Sequence, residues 1–167
     1  MLLIRPATPA DVSAITDIYN DAILHTTATF DLEEKTEAGR LQWLQERGER
    51  HPVLVAEVEG SVIGWAALSR WNQKPAYDTT AEVSLYVHRE FRQQGVGRRL
   101  LEVLVAEGER LGFHVLVALI THGNEHSIRL HERLGFSLSG TLREIGHKFG
   151  SFQDVHVLQR ISVSDRG

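Results

Sequence analysis

A short segment with two glycines and several arginines is the first place in this sequence where chemistry can be inferred. Arg92-Gln-Gln-Gly95-Val-Gly97 follows a run of β-branched and aromatic residues at 82–87 and leads into apolar residues at helical spacing. Glycines let the backbone approach a ligand closely, and the N–H groups at a helix start favour a phosphate. Arg98 and Arg99 add further positive charge. The pattern indicates a phosphate-binding turn, although an ordinary strand-to-helix turn has a similar composition.

Two well-known phosphate motifs do not fit this segment. The dinucleotide-binding turn G-x-G-x-x-G requires a third glycine at the position of Leu100. A P-loop requires Lys and then Ser or Thr after its last glycine, where this chain has Arg98 and Arg99. The segment therefore belongs to neither of these motif classes.

The overall composition limits the class of protein. A chain of 167 residues suits one domain with its own core, and 42% hydrophobic with 24% charged residues is ordinary for a globular protein. A formal charge of -4 gives no general reason to expect nucleic-acid binding. The absence of cysteine excludes disulfides and a thiolate nucleophile. The first residues lack an apolar signal region and no stretch is apolar enough to span a bilayer, so we expect a cytoplasmic protein with no membrane partner.

Hydrophobic periodicity predicts a mixed sheet flanked by helices. Strands are predicted at 2–5, 52–58, 62–69, 82–87, 114–120, 137–142 and 154–160. Helices are predicted from Thr8-Pro9 onward, at about 36–48, at 96–110 and at 124–134. Residues 145–152 are predicted to connect the last two strands. We expect one domain over residues 1–161, followed by a flexible tail at 162–167.

Two motifs taken together are more specific than either alone. Arg92-x-x-Gly95-x-Gly97 is followed by Asn124-Glu-His-Ser-Ile-Arg-Leu-His-Glu-Arg-Leu-Gly-Phe136, and together they resemble the GNAT acetyltransferase superfamily. TTATFD at 26–31, WNQKPAYDTTAEVSLYV at 71–87 and GHKFGSFQD at 146–154 are similar to its phosphinothricin N-acetyltransferase branch. The resemblance covers nearly the whole chain. It implies an α/β (α+β) fold in which a mostly antiparallel, twisted mixed sheet is splayed at the acetyl-CoA site and flanked by helices.

The resemblance also implies the residues that hold the donor, acetyl-CoA, which acts as co-substrate. The turn would bind pyrophosphate through Arg92, Gln93, Gln94, Gly95, Val96, Gly97 and Arg98, and the strand residues Leu85, Tyr86 and Val87 would bind the pantetheine arm. Asn124 and Ser127 would contact the donor, although a helix cap explains Asn124 equally well. No metal is expected, because the nine histidines show no ligand spacing.

The resemblance places an acidic residue of the branch at Glu82, which could act as the base that deprotonates the acceptor amine. Without the family resemblance, Glu82 would be interpreted as a surface glutamate at the end of a strand. Many family members have a tyrosine as proton donor to the departing thiolate, but this chain has His131 at that position. Histidine can carry out acid–base chemistry near neutral pH, whereas a lone histidine on an apolar helix face is often structural. Both interpretations of His131 stay open at the level of sequence.

The acceptor implied by the branch is a small amino-acid-like amine such as phosphinothricin, methionine sulfoximine or methionine sulfone. Its expected contacts are Thr29, Phe30, Asn72, Gln73, Lys74, Tyr77, Glu82, Val83 and Ser84, with Arg70 and Lys148 as secondary candidates. The leading hypothesis is direct acetyl transfer in a ternary complex, since the chain has no cysteine for an acetyl-enzyme. The alternatives are acetylation of a protein N-terminus or another amine, and an acetyl-CoA sensor without catalysis. The branch also suggests a homodimer.

Overall fold

The computed structural model describes residues 1–163, which form seven strands and four helices. The strands are β1 Leu2–Pro6, β2 Val53–Val58, β3 Ser61–Arg70, β4 Thr80–Val87, β5 Val115–Thr121, β6 Ser137–Lys148 and β7 Ser151–Ile161. The helices are α1 Val12–His25, α2 Glu37–Gln45, α3 Val96–Arg110 and α4 Glu125–Arg133. The order of strands and helices is the one that periodicity predicts.

All seven strands lie in one sheet in the order β1-β2-β3-β4-β5-β7-β6. Every neighbouring pair is antiparallel except β4 and β5, which are parallel. The β4–β5 register pairs only Thr80, Ala81 and Glu82 with residues 115–117. The expected mixed and mostly antiparallel sheet is therefore confirmed, and it is open rather than closed.

Alternating side chains divide the core between the two faces of the sheet. Val53 and Val55 of β2 pack with Ile15 and Ile18 of α1 on one face. Leu54 and Ala56 of the same strand pack on the other face, with Leu100, Leu101 and Leu104 of α3. The long apolar sides of α1 and α3 thus fix the sheet from opposite directions, and the strand ends between them are positioned accordingly.

Two element boundaries differ from the sequence-based expectation. The predicted connection at 145–152 is largely strand, because β6 and β7 form one long hairpin whose turn is Phe149–Gly150 with φ of 54° and 77°. Helix α2 is shorter than expected, and its buried residue is Arg40 rather than an apolar one.

Ser162, the first residue of the predicted tail, is buried and its N–H donates to the His114 carbonyl at 2.8 Å. The rest of that tail from residue 164 lies outside the described residues. Among the helices of residues 1–163, none is both long and apolar enough to cross a lipid bilayer.

Candidate active site

Helix α3 begins at the turn predicted to bind phosphate. Gly95 is its N-cap with φ of 84°, in the left-handed region that glycine adopts without strain. A Cβ at Gly95 would meet open space, so backbone conformation rather than crowding favours glycine here. Because glycine has no side chain that could cap the helix, the N–H groups of the first turn are available to an anion.

The other residues of this turn hold its shape. Gln93 also has a positive φ, 60°, and the Gln94 amide donates to the Glu90 carbonyl at 3.0 Å. Val96 is buried in the core. Gly97 lies under neighbouring leucine side chains, and a Cβ there would be in ordinary contact at 3.5 Å. Side chains from the turn therefore anchor it, while its backbone faces outward.

Three arginines flank the turn, and carboxylates lie beside them. Arg92 approaches Asp21 of α1 with a nitrogen-to-oxygen distance of 3.5 Å. Arg98 and Arg99 contact Glu102 at 2.9 and 3.0 Å, and these hydrogen bonds lower the pKa of the Glu102 carboxyl. Such exposed ion pairs are screened by water and salt and contribute little to stability. A phosphate group can therefore compete for these arginines at small cost.

Beyond Glu82 the strands β4 and β5 separate, and a cavity of about 350 Å³ lies between and beside them. In the described chain, β4 residues after Glu82 pair only with β3. The cavity is lined by 82–86 of β4, 118–121 of β5, Asn124, Ser127 and His131 of α4, Tyr19, the segment 27–30, and Val155. One edge of β4 thus presents backbone hydrogen-bonding groups to a ligand.

Glu82 lies where the two strands part, and its side chain lines the cavity. The residue is half-buried, and burial raises the pKa of its carboxyl above the ordinary value. Ser84 and Tyr86 lie on the same face of β4, since strand side chains alternate. A carboxylate with a raised pKa accepts a proton from an amine more readily at neutral pH than an ordinary glutamate does.

Helix α4 places three predicted residues on the opposite wall. The Asn124 side chain accepts a hydrogen bond from the Ser127 N–H at 3.3 Å, so Asn124 caps the helix as well as lining the cavity. His131 is buried, with 4% of its surface exposed, and its Nδ1 lies 2.7 Å from the Ser127 carbonyl oxygen. A carbonyl only accepts, so Nδ1 carries the proton and Nε2 is the free nitrogen of the neutral ring. Burial lowers the pKa of His131.

The tautomer restricts what His131 can do. With its proton on Nδ1, the neutral imidazole accepts a hydrogen bond at Nε2 and donates one only to Ser127. Donating a proton from Nε2 requires the imidazolium form, which burial disfavours. His131 can therefore act as a proton donor only after its Nε2 has taken up a proton.

Residues 27–30, which we call the roof segment, close the cavity on the side of α1. Thr121 of β5 donates its hydroxyl hydrogen to the Thr27 carbonyl at 2.6 Å, and the Lys148 ammonium donates to the Thr29 carbonyl at 2.9 Å. The Tyr19 hydroxyl lies 2.9 Å from the Thr29 hydroxyl. Elements that are distant in the sequence therefore converge on these four residues.

Two tyrosines supply hydroxyl groups to the cavity wall. Tyr19 donates to the Asp31 carboxylate, and burial together with this bond raises the pKa of Tyr19 to about 12. Burial likewise raises the pKa of Tyr86, whose ring packs against Tyr19 at 5.1 Å between centroids. Both phenols stay protonated at neutral pH. Helical spacing places Tyr19 on the core side of α1, but periodicity cannot show that its hydroxyl reaches a cavity.

The segment expected to form the acceptor wall lies elsewhere. Asn72, Gln73, Lys74 and Tyr77 are exposed and do not line the cavity, whereas Thr29, Phe30, Val83 and Ser84 do. Asn72 accepts a hydrogen bond from the Lys74 N–H at 3.0 Å, which turns the segment back on itself. Arg70 pairs with Asp78 at 2.9 Å. Within one chain the predicted wall and the cavity are therefore separate.

The lowered pKa of the buried His131 gives a testable prediction. The folded protein keeps this ring neutral at pH values where the unfolded chain protonates it, so unfolding takes up a proton below the unfolded pKa of about 6.5. The free energy of unfolding should fall as pH is lowered from 7 to 5. His131→Gln should reduce this slope by up to ~1.4 kcal/mol per pH unit, as measured by urea unfolding.

Nuclear magnetic resonance provides the check on the same residue. Long-range ¹H–¹⁵N spectra should show His131 with a protonated Nδ1 and an unprotonated Nε2 at pH 7. A protonated Nε2 would contradict the tautomer. An unfolding slope identical in the wild type and the variant would contradict the lowered pKa.

The acetyltransferase (GNAT) family matches residues 14–136. The L-methionine sulfoximine/L-methionine sulfone acetyltransferase of Salmonella typhimurium is 41% identical over 159 residues, which cover 95% of this chain and 93% of that protein.

Solved structures agree in fold. The GNAT superfamily phosphinothricin acetyltransferase of Sinorhizobium meliloti in complex with acetyl-CoA has a TM-score of 0.91 at 36% identity, covering 96% of this chain and 88% of that one. The ribosomal-protein-alanine N-acetyltransferase of Brucella melitensis has a TM-score of 0.94 at 41% identity, covering 96% and 99%. The resemblance carried by the two motifs is therefore confirmed, and the chain belongs to the GNAT acetyltransferase family.

Proposed function

We propose that this enzyme transfers an acetyl group from acetyl-CoA to the α-amine of a small amino-acid-like acceptor such as phosphinothricin, methionine sulfoximine or methionine sulfone. The observation that carries the proposal is the position of Glu82. Among the described residues that line the cavity it is the only carboxylate, and it lies where β4 and β5 part. The names of the Salmonella and Sinorhizobium relatives support this class of acceptor.

The turn at the start of α3, which is not among the residues that line the cavity, and the free edge of β4 together form the proposed site for acetyl-CoA. The left-handed Gly95 exposes the first N–H groups of α3 to a pyrophosphate, and Arg92 and Arg98 add positive charge beside it. The free edge of β4 at 83–87 offers backbone groups to an extended pantetheine amide chain. Bound there, acetyl-CoA supplies an activated acetyl thioester.

Glu82 acts as the general base in the proposed reaction. It removes a proton from the acceptor ammonium, directly or through one water, and leaves a neutral amine. The amine nitrogen then forms a bond to the acetyl carbon as the carbon–sulfur bond breaks and the electron pair leaves with sulfur, and the second amine proton passes to the departing thiolate. Direct transfer in a ternary complex is consistent with the absence of cysteine from the chain.

His131 contributes at the opposite wall. Its Nδ1–H holds the first turn of α4, where Asn124 and Ser127 face the donor side of the cavity. Its Nε2 accepts a proton or a hydrogen bond, and it donates to the departing thiolate only after that proton uptake. We therefore propose a positioning role for His131 in its neutral form and an acid role in its imidazolium form.

The lack of cationic side chains at the acceptor end of the cavity favours a second candidate function. Within residues 1–163, the cavity lining includes no lysine or arginine, so an acceptor carboxylate would be held by hydroxyls such as Thr29 and Ser84. A peptide N-terminus needs no such contact. This feature, together with the similarity to the Brucella enzyme, favours N-terminal alanine acetylation as the alternative function.

We also propose a homodimer. β6 is the outermost strand of the sheet, and its hairpin with β7 exposes a row of apolar side chains: Leu138, Leu142, Ile145, Phe149 and Phe152. Ile145, Phe149 and Phe152 are each at least 60% exposed. A second copy of this chain that covers the row would bury this surface and pair the free strand edge.

The acceptor assignment is tested by turnover. Purified protein with acetyl-CoA should release CoA when phosphinothricin, methionine sulfoximine or methionine sulfone is added, with mass spectrometry showing the N-acetyl product. A short peptide that begins with alanine should compete weakly or not at all. Turnover of the peptide without turnover of any of the three amino acids would replace the proposal by the alternative.

The assignment of Glu82 is tested by Glu82→Gln. The amide cannot accept the ammonium proton, so kcat should fall by about 10²- to 10⁴-fold while acetyl-CoA binding by calorimetry stays unchanged. In the wild type, activity should rise with pH through the raised Glu82 pKa, and this acidic limb should disappear in the variant. Glu59→Gln, in the exposed β2–β3 turn, is the matched control. Wild-type activity in Glu82→Gln would refute the assignment.

The dimer is tested by light scattering after gel filtration. The wild type should have about twice the chain mass of 18.8 kDa. Ile145→Glu combined with Phe152→Glu places two charges in the apolar row and should give the monomer mass. A wild-type monomer at micromolar concentration would rule the dimer out.

A further inference from the structure

The β6–β7 hairpin reaches back to the roof segment, although the two lie more than a hundred residues apart. The pairing register of β6 with β7 shifts between Leu142 and Gly146, and Glu144 within this bulge has φ of 53°. The Asp154 carboxylate accepts a hydrogen bond from the Glu144 N–H at 2.7 Å and holds the bulge. A bulge bends its strand and redirects the residues beyond it. The outer half of β6 is thereby directed at residues 27–30.

Within this part of β6, Gly146 lies directly against the Phe30 ring of the roof segment. A Cβ built on Gly146 would lie 2.3, 2.7 and 2.8 Å from three ring carbons of Phe30, distances that real contacts do not show. The Phe30 ring therefore occupies the space that any side chain at residue 146 would fill. Phe30 also lines the cavity, so the absence of a side chain at Gly146 decides where this wall of the cavity stands.

Lys148, two residues further on, fixes the same segment by a second contact. It is buried, with 3% of its surface exposed, and its ammonium donates to the Thr29 carbonyl at 2.9 Å. The ammonium thus binds the backbone of the roof segment, and Lys148 is not among the residues that line the cavity. The expectation that Lys148 contacts the acceptor directly is therefore replaced by an indirect role.

We propose that Gly146 is a specificity-determining residue, which sets the size of the acceptor end of the cavity by giving room to the Phe30 ring. The inference rests on the proposed function for its kinetic consequences, but its structural part stands alone. A methyl group at residue 146 pushes the ring away from β6. Because Phe30 also lines the cavity, we expect the displaced ring to change the shape of the acceptor end.

The test is Gly146→Ala with a control on the same strand. Gly140→Ala is matched to it, because a Cβ at Gly140 meets nothing within 4 Å. The atoms that a Cβ at residue 146 would meet belong to the ring of Phe30, which is partly exposed and can shift, so the protein should still fold. Gly146→Ala should lower kcat/KM for the acceptor about tenfold through KM, since one methylene in a pocket has effects of that order. KM for acetyl-CoA should not change.

A double-mutant cycle separates this mechanism from a general defect. In a Phe30→Ala background the ring is gone, so adding Gly146→Ala should change acceptor KM less than twofold. Lys148→Met should also raise acceptor KM, and Lys148→Arg should restore most of it. Equal effects of Gly146→Ala with and without Phe30, or kinetics equal to those of Gly140→Ala, would overturn the inference. Gel filtration shows whether either glycine variant changes the oligomeric state.

A readout without catalysis keeps the two proposals distinguishable. In protein labelled with 4-fluorophenylalanine, the Phe30 resonance is identified by its absence in Phe30→Leu. Gly146→Ala should shift that ¹⁹F resonance, and Gly140→Ala should leave it in place. If the wild type acetylates no acceptor, the proposed function fails while the resonance still reports on the ring. An unmoved Phe30 resonance in Gly146→Ala refutes the inference in either case.

Discussion

The parallel pairing of β4 with β5 ends after three residues, and the rest of the site depends on this. Strands in the middle of a sheet normally satisfy both edges, because an unpaired buried backbone group costs about as much as a lost hydrogen bond. Here β4 continues beside β3 for five more residues while β5 turns away toward β7. The opening between the strands exposes one edge of β4 and places Glu82 at its narrow end. In the proposed function, a ligand with amide groups along an extended chain would complete the pairing that β5 gives up.

The walls of this opening are held by contacts that are far apart in the sequence. Thr121 binds the Thr27 carbonyl across 94 positions, and Lys148 binds the Thr29 carbonyl across 119. The aromatic rings of Tyr19, Trp65 and Tyr86 pack edge to face or tilted, with centroids 5.0 to 5.7 Å apart. The Tyr19–Trp65 contact joins α1 to β3, and each of the other contacts joins an element to the roof segment or to β4. The cavity is therefore shaped only when the whole sheet has formed, and its geometry follows from the fold rather than from any single loop.

Features that depend on local backbone geometry could be predicted from the local sequence. A glycine turn precedes α3 and an asparagine caps α4, and both features were predicted from residue type and position. Helix α2 shows the limit. Helical spacing places Leu41 and Leu44 on one face of α2, and Leu44 packs partly buried against the core. The buried residue of this helix, however, is Arg40, whose guanidinium lies 3.8 Å from the Trp43 ring centroid and 4.8 Å from the Tyr19 ring centroid. Cation–π contact with rings from two elements compensates a buried charge, and no local pattern encodes that arrangement. The β6 bulge and the packing of Phe30 on Gly146 were missed for the same reason.

The proposed donor and acceptor sites would recognise their ligands by different physics. At the donor end, charge and backbone N–H groups dominate, because α3 presents its positive end together with arginines that exposed carboxylates hold only weakly. At the acceptor end, the described lining is mostly neutral, and the position of a single ring, Phe30, is set by the lack of a side chain at Gly146. Electrostatic attraction falls off gradually and tolerates small shifts, whereas close packing does not. Substitutions near the turn should therefore tune affinity for the donor by degrees. Substitutions around the roof segment should change which acceptors fit at all.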